Sequence, residues 1–364
     1  MLCDGFMLKK IVPLILIAIL LCGCVKKTEE EITFASWGSI TEVEITKKII
    51  SDFEKNNPDI KVKFMHIPQN YFQKLHLLFA SNTAPDVIFV NNLNLPVYAK
   101  YLEELNVKDK QDFYKPALDG LSYHGKLLAV PRDISNLVFY VNTDKTDLPR
   151  NTWKIEDILK ITKPNMYTVS YEEDIYWILP YLSYFGGGIF DYDSNLVINS
   201  DESKKAISFY KDLRTKYHIA PTRSQIGSST LAQMFLDGKI IFYLSGRWMY
   251  PKINEKAGFN WAIINFPYGI YPQPCDVSGW AVSKNSKHKN AAKRFVEYIS
   301  NENSSEYYAQ TGLIVPARIK PSKKLNNNLH NERVFLEVIN HSEKTNVGNN
   351  YKKLVDKINL ELDL

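Results

Sequence analysis

Several short stretches of this 364-residue chain carry residues whose types and spacing could do chemistry. Leu21-Cys22-Gly23-Cys24 ends an apolar run and sets a small residue before a cysteine, the arrangement in which signal processing attaches lipid to the thiol of Cys24. Asp191-Tyr192-Asp193-Ser194-Asn195, with Asn199 and Glu202, puts oxygen ligands at positions 1, 3, 5, 9 and 12 of a calcium loop. Leu196 occupies position 6, where the sharp turn needs glycine, so a β-turn running into a helix near Ser200 competes with calcium. Gly186-Gly187-Gly188 lacks the spacing of a phosphate or dinucleotide loop and reads as a flexible turn. No H-E-x-x-H, G-x-x-x-x-G-K-[ST] or G-x-S-x-G is present. What remains is aromatic: 22 Tyr, 18 Phe and 6 Trp, several beside glycines and turn residues, where rings meet ligands.

Lys9 and Lys10 before the apolar run Ile11 to Leu21 complete a lipoprotein signal, with Met7 a second candidate start. That run is about half of the roughly 20 residues a spanning helix needs, which favours cleavage before Cys24 over a permanent transmembrane anchor. Thr28 to Glu31 then form a polar spacer. Beyond the signal only Cys275 remains besides Cys24, so no disulfide framework is built. Cys275 reads as a small buried residue, since no His and Asn partners declare themselves around it.

The chain left after processing is longer than one core usually serves, and two lobes are expected. The net charge of +5 is small, with lysines scattered among acidic residues. The basic run Ser283 to Lys293 has no interleaved aromatics to stack bases, so a dedicated nucleic-acid surface is not indicated and the run reads as a solvated turn leading into a helix.

The elements follow from periodicity. Glu31 to Ser36 alternates as a strand, then Ile40, Val43, Ile49, Ile50 and Phe53 recur at helical spacing until Asn56-Asn57-Pro58. Ile60 to Ile67 is a second strand, Asn70 to Ser81 a helix with Leu75, Leu78 and Phe79 inward, and Asp86 to Val90 a third strand. Such a β-α-β-α-β run gives parallel strands with ligands beyond their carboxyl ends, where Trp37, Gly38, Asn91 and Asn92 fall. A turn at His124-Gly125 feeds a strand, and Leu137 to Val141 is another, with a lobe crossing near Asn136 to Thr143. A capped helix over 155–161 follows, then helices around Trp177 and from Ser200 to Tyr217, and a helix-to-strand unit from Thr230 to Leu244. Two further helices, Arg294 to Ser300 and Ser305 to Gln310, precede an amphipathic one over Tyr351 to Leu362.

Tyr71-Phe72-Gln73-Lys74-Leu75, Ala84 to Val90, Gly125 to Pro131 and Tyr140 to Asn142 resemble the first lobe of extracellular solute-binding proteins of sugar-type ABC transporters. Met234 to Lys239 followed by Ser245-Gly246-Arg247-Trp248 is similar to that family's approach to a sugar-stacking tryptophan, and Ser278-Gly279-Trp280 to Phe295 and Thr311 to Pro316 to its return into the first lobe. The resemblance implies an α/β, two-lobed periplasmic-binding-protein-like fold of type II, with a hinge and an interlobe cleft. It divides the chain into a signal (1–23), a lipid-anchored spacer (24–31), lobe 1 (32–138 and 278–320) and lobe 2 (139–277 and 321–364). It implies a monomer tethered to the outer face of the membrane through Cys24, which captures a sugar or oligosaccharide and delivers it to an ABC transporter permease, with no catalysis, cofactor or metal. The chain departs from the pattern after Pro321, where it turns Asn-rich and lacks the late aromatic contacts of maltose binders.

A sugar offers an apolar C–H face and an equator of hydroxyls, so its site needs flat rings and fixed polar groups. On the resemblance Trp248 is the stacking ring, with Arg247 either donating paired hydrogen bonds to the ligand or holding a structural ion pair. Trp37 stands at the cleft edge, and Asn91 and Asn92 either bond hydroxyls or form turns. Trp280 either stacks or packs, Asp133 either accepts from a hydroxyl or pairs with Arg132, and Trp177 with Tyr176 offers a second-lobe ring or core packing. Asp86 reads as a strand-start residue. Two rival readings remain: a ferric, polyamine or phosphate-ester ligand in the same fold, with Tyr307-Tyr308 as the iron pair, and a surface carbohydrate-cleaving enzyme, which needs two carboxylates roughly 5 to 10 Å apart.

Overall fold

The structure, a computed structural model, describes residues 29–149, 153–325, 329–348 and 351–362. The signal and the lipid site expected at Cys24 lie outside the described residues.

The first lobe opens as the alternation predicts: β1 (Glu30–Ser36), α1 (Ile40–Asn56), β2 (Ile60–His66), α2 (Tyr71–Ala80) and β3 (Val87–Asn91). β1 pairs in parallel with β2 on one side and β3 on the other. Helix α1 starts at a capping box, Ser39 accepting from the Glu42 backbone N–H while the Glu42 carboxylate accepts from that of Ser39. It ends at Asn57, and Thr46, Ile49, Ile50 and Phe53 form its buried stripe. Ile40, counted with that stripe from its spacing, is 81% exposed. At about 100° per residue it stands half a turn away from Ile49.

The turn at His124-Gly125 is a two-residue hairpin joining Ser122–Tyr123 to Lys126–Leu127. Its residues have φ of 48° and 76°, a pair that a hairpin's twist demands and that glycine eases. β4 (Val130–Ser135) follows in the first sheet, and β5 (Val138–Asn142) already belongs to a second one. The chain thus changes sheets over Asn136 and Leu137.

The second lobe holds β6 (Tyr167–Val169), α3 (Ile175–Phe185), α4 (Asp201–Thr215), α5 (Leu231–Leu236), β7 (Ile240–Ser245) and β8 (Trp261–Asn265), with its strands in the order β8-β5-β7-β6. Residues Ile155–Lys160, expected as an α-helix, form a 3-10 helix. The return strand β9 (Gln273–Val282) lies antiparallel between β3 and β4. It joins the first sheet from Gln273, earlier than the return read at 278. β10 (Ser342–Lys344) pairs in parallel with its first residues, which sets part of 321–364, expected in lobe 2, on the first sheet. Helices α6 (Lys289–Ile299) and α7 (Glu302–Ala309) complete the first lobe's layer, and α8 (Tyr351–Leu362) packs on α3.

Phe34, Phe89, Trp280 and Phe295 anchor one core, and Phe139, Tyr181, Tyr210 and Phe242 another. Among the described residues no helix is long and apolar enough to cross a membrane. Cys275 is a free, buried thiol.

Candidate functional site

Strand register builds the floor of the site. Asn91 of β3 pairs with Ser278 of β9, Ser278 with Asp133 of β4, and Asp276 with Ser135. Paired residues on neighbouring strands share a face, and alternate residues return to it. Asn91, Ser278, Asp133, Asp276 and Ser135 therefore form one polar patch beside the sheet change, with Val277 and Ile134 buried on the opposite face.

Arg132 fixes the first-lobe edge of this patch. Its guanidinium is buried, donating through Nε to Asp133 Oδ2 at 2.5 Å and lying 3.2 Å from Glu42 Oε1 through Nη1. It rests over the rings of Phe89, Tyr308 and Trp280, 4.4, 5.2 and 5.6 Å from their centroids. The α1 capping box holds Glu42 in reach, so a local signal at the helix start sets a charge in the site. Burial raises the pKa of Asp133 against the opposing pull of Arg132. Trp37 is half-buried and packs edge-on against Phe89 at 4.3 Å, with Tyr71 and Phe72 on its flanks. Gly38 has φ of 148°, and its carbonyl accepts from His66 Nε2 at 3.0 Å.

The second lobe contributes the start of α3. Asp174 caps it by accepting from the Tyr176 N–H at 2.8 Å, while Asn359 of α8 bonds both the Ile175 N–H and the Asp174 carboxylate. That clamp aims Tyr176 and Trp177. α3 packs against β9, and burial foremost, then the Asp276 carboxylate, push the Tyr176 phenol well above its ordinary pKa, with Asp133 adding to it. Trp177 meets Tyr176 edge-on at 5.6 Å and Trp248 at 6.4 Å. Trp248, directly after β7, is 36% exposed. Its ring occupies the space where a side chain on Gly246 would begin: a Cβ there would lie 2.0 Å from the ring. With the ring so placed, position 246 has room for glycine alone.

Asn91 and Asp133 thus lie on the polar patch, Trp37 packs beside it on Phe89, whose ring Arg132 also covers, and Trp177 and Trp248 meet near the start of α3, while three other candidates are buried elsewhere. Trp280 is fully buried between Phe34 and Phe89. Arg247 is 2% exposed and ion-paired with buried Glu332, over Tyr250 and Phe335. Asn92 is 2% exposed, its amide donating to the Cys275 carbonyl and accepting from the Val277 N–H, so it stitches β3 to β9. Asn91 also serves its own turn, accepting from both nitrogens of Asn94. Sequence reasoning missed Asp276, Ser278 and the Glu42–Arg132 pair. A lone acid within the β-favouring run Gln273 to Val282 was the available signal for Asp276.

The calcium-like loop closes on itself: Asp191 accepts from the backbone N–H groups of Asp193 and Asn195 and from the Asn195 amide. Among the described residues no group of three or more His, Cys, Asp or Glu is placed to hold a metal. Tyr308 is buried against Thr46 and Arg132, and Asp86 holds Thr33 and Ser286, a strand-start role.

A family profile for bacterial extracellular solute-binding proteins matches residues 48–324. The chain is 25% identical to the maltodextrin-binding protein MdxE of Bacillus subtilis over 311 residues, 78% of this chain and 73% of the relative. It is 24% identical to the arabinooligosaccharide-binding protein of the same organism over 355 residues, covering 83% and 78% of the two. In fold it is similar to the ABC substrate-binding protein Lmo0181 of Listeria monocytogenes solved in complex with cycloalternan, with a TM-score of 0.82, 24% identity and coverage of 92% and 93%.

Proposed function

The chain belongs to the bacterial extracellular solute-binding proteins, and from that premise we propose that it captures a sugar or oligosaccharide between its lobes and delivers it to an ABC transporter permease. The observation that carries the reading is the carboxylate and hydroxyl patch of Asp133, Asp276 and Ser278 on a sheet against which α3 packs, the helix whose Trp177 meets the half-open Trp248. Flat rings suit the C–H face of a pyranose or furanose, and fixed acceptors suit its hydroxyls. Curated relatives named for maltodextrin and arabinooligosaccharide binding support the same ligand class.

Trp37, Gly38, Asn91, Asp133, Trp177 and Trp248 are the contacts we assign, with Trp280, Arg247 and Asn92 supporting them from behind. Closure is favoured by contacts that exist only when both lobes hold the ligand, and the protein works as a monomer by capture rather than turnover. The work is done outside the cytoplasm, and the thiol of Cys24 carries the lipid tether. Cys24→Ser is expected to move the protein from the membrane fraction to the soluble one; retention in the membrane would sink the tether.

Titration of the protein with maltose, maltotriose, cycloalternan and arabinotriose, followed by tryptophan fluorescence, is expected to give a saturable change with at least one of them and to return that sugar uncleaved. Response only to ferric ion, spermidine or glycerol phosphate would overturn the ligand class, and cleaved sugar would overturn capture.

A further inference from the structure

Asp276 differs from every other carboxylate around the site. Asp133 and Glu42 share the guanidinium of Arg132, whereas the Oδ1 of Asp276 is buried and has no hydrogen-bond partner among the described residues. A buried acceptor left unmade costs the desolvation of that group, so a site that keeps one is short of donors until something supplies them. The groups that face it offer little. Asp133 stands two positions along the shared sheet face, Tyr176 approaches from α3, Tyr351 from α8, and Cys275 precedes it, with Asp119 and Glu343 behind that thiol. All are acids or neutral donors, and Arg132, the cation beside Asp133, is already held by two carboxylates.

We propose that Asp276 is the specificity-determining residue of the sugar site, its carboxylate accepting from two neighbouring hydroxyls of one sugar unit held against Tyr176 and the tryptophans. This rests on the sugar reading above and deepens it: the bound unit presents a vicinal diol, not a lone hydroxyl, toward β9. A carboxylate is acceptor-only and takes such a pair, while an amide of the same shape offers one acceptor and one donor and mismatches it.

The carboxyl's titration supplies an independent readout. Burial foremost, then the charge of Asp133, raise its pKa from 3.8 to about 7, against a smaller opposite effect of the Val277 N–H. The empty site therefore holds it largely protonated below neutrality, and a diol that selects the carboxylate drives the proton off. Affinity is expected to fall roughly tenfold from pH 8 to pH 6, with proton release on binding near pH 6.5.

The test is calorimetric titration of the full protein and of Asp276→Asn with maltose, maltotriose, cycloalternan and arabinotriose at pH 6, 7 and 8, in buffers of differing ionisation enthalpy. The expected result is wild-type binding of at least one sugar that is ~10- to 100-fold weaker in the variant, with the pH dependence and proton release gone. Asp276→Glu, which keeps the acceptor-only chemistry, is expected to retain proton release. A variant that binds as tightly as wild type, or one that loses affinity but keeps the same proton release, overturns the role of Asp276 alone. Failure of wild-type protein to bind any of the four overturns the sugar reading and this inference together.

Discussion

Replacing Arg132 by Met is expected to destabilise the protein by about 3–5 kcal/mol, the cost of breaking a buried charge pair and leaving its partners uncompensated. Asp133 and Glu42 would both lose their cation, and Asp133 is only 6% exposed. The loss has a direction in pH. Burial already raises the Asp133 pKa, and without Arg132 the rise grows. An acid whose folded pKa exceeds its unfolded value makes the folded state bind more protons, so stability is fully present below the unfolded pKa and is lost as pH climbs through the folded one. Urea unfolding should therefore find the variant weaker at pH 8 than at pH 5 by a wider margin than wild type. A midpoint within experimental error of wild type at both values would mean that the Arg132 pairs hold nothing.

Trp248→Ala is expected to weaken sugar binding by about 2–3 kcal/mol, the range of an aromatic anchor in a desolvated contact, or roughly 30- to 150-fold in Kd. The same change should leave unfolding close to wild type, because a ring 36% exposed and touching Trp177 only by its edge contributes modestly to the core. Fluorescence titration with whichever sugar wild-type protein binds, beside a urea curve of the same samples, separates the two effects. Undiminished affinity would remove Trp248 from the site, and a collapse of stability would recast it as a core residue.

How far the sequence reached is visible in particular residues. Alternation and helical spacing located β1 to β3 with their helices, because those periods follow from backbone geometry that neighbouring residues alone decide. Asp86 as a strand start and Cys275 as a buried thiol were legible for the same local reason. Ile40 shows the limit: it fits a loose helical spacing, yet its angle on α1 sets it opposite the buried stripe.

Side-chain destination was harder. Trp248 and Trp280 each follow a glycine by at most two residues, and one stands half-open while the other is enclosed by Phe34, Phe89 and Tyr308. Arg247 adjoins Trp248 in sequence but pairs with Glu332, 85 positions away. Nothing in either neighbourhood encodes that distant partner.

The amino-acid sequence by itself determined the order of strands and helices, the candidate family and which residue types could meet a ligand. Only the tertiary structure decided that Asp133 and Asp276 share one face of a sheet, that Arg132 answers Glu42 and Asp133 at once, and that Asp276, of the carboxylates on this patch, keeps a buried oxygen unanswered among the described residues. The reason is that periodicity is written in residues a few positions apart. A site of this kind is assembled by strand register between segments more than a hundred residues apart, and register is set by the packing of the whole sheet.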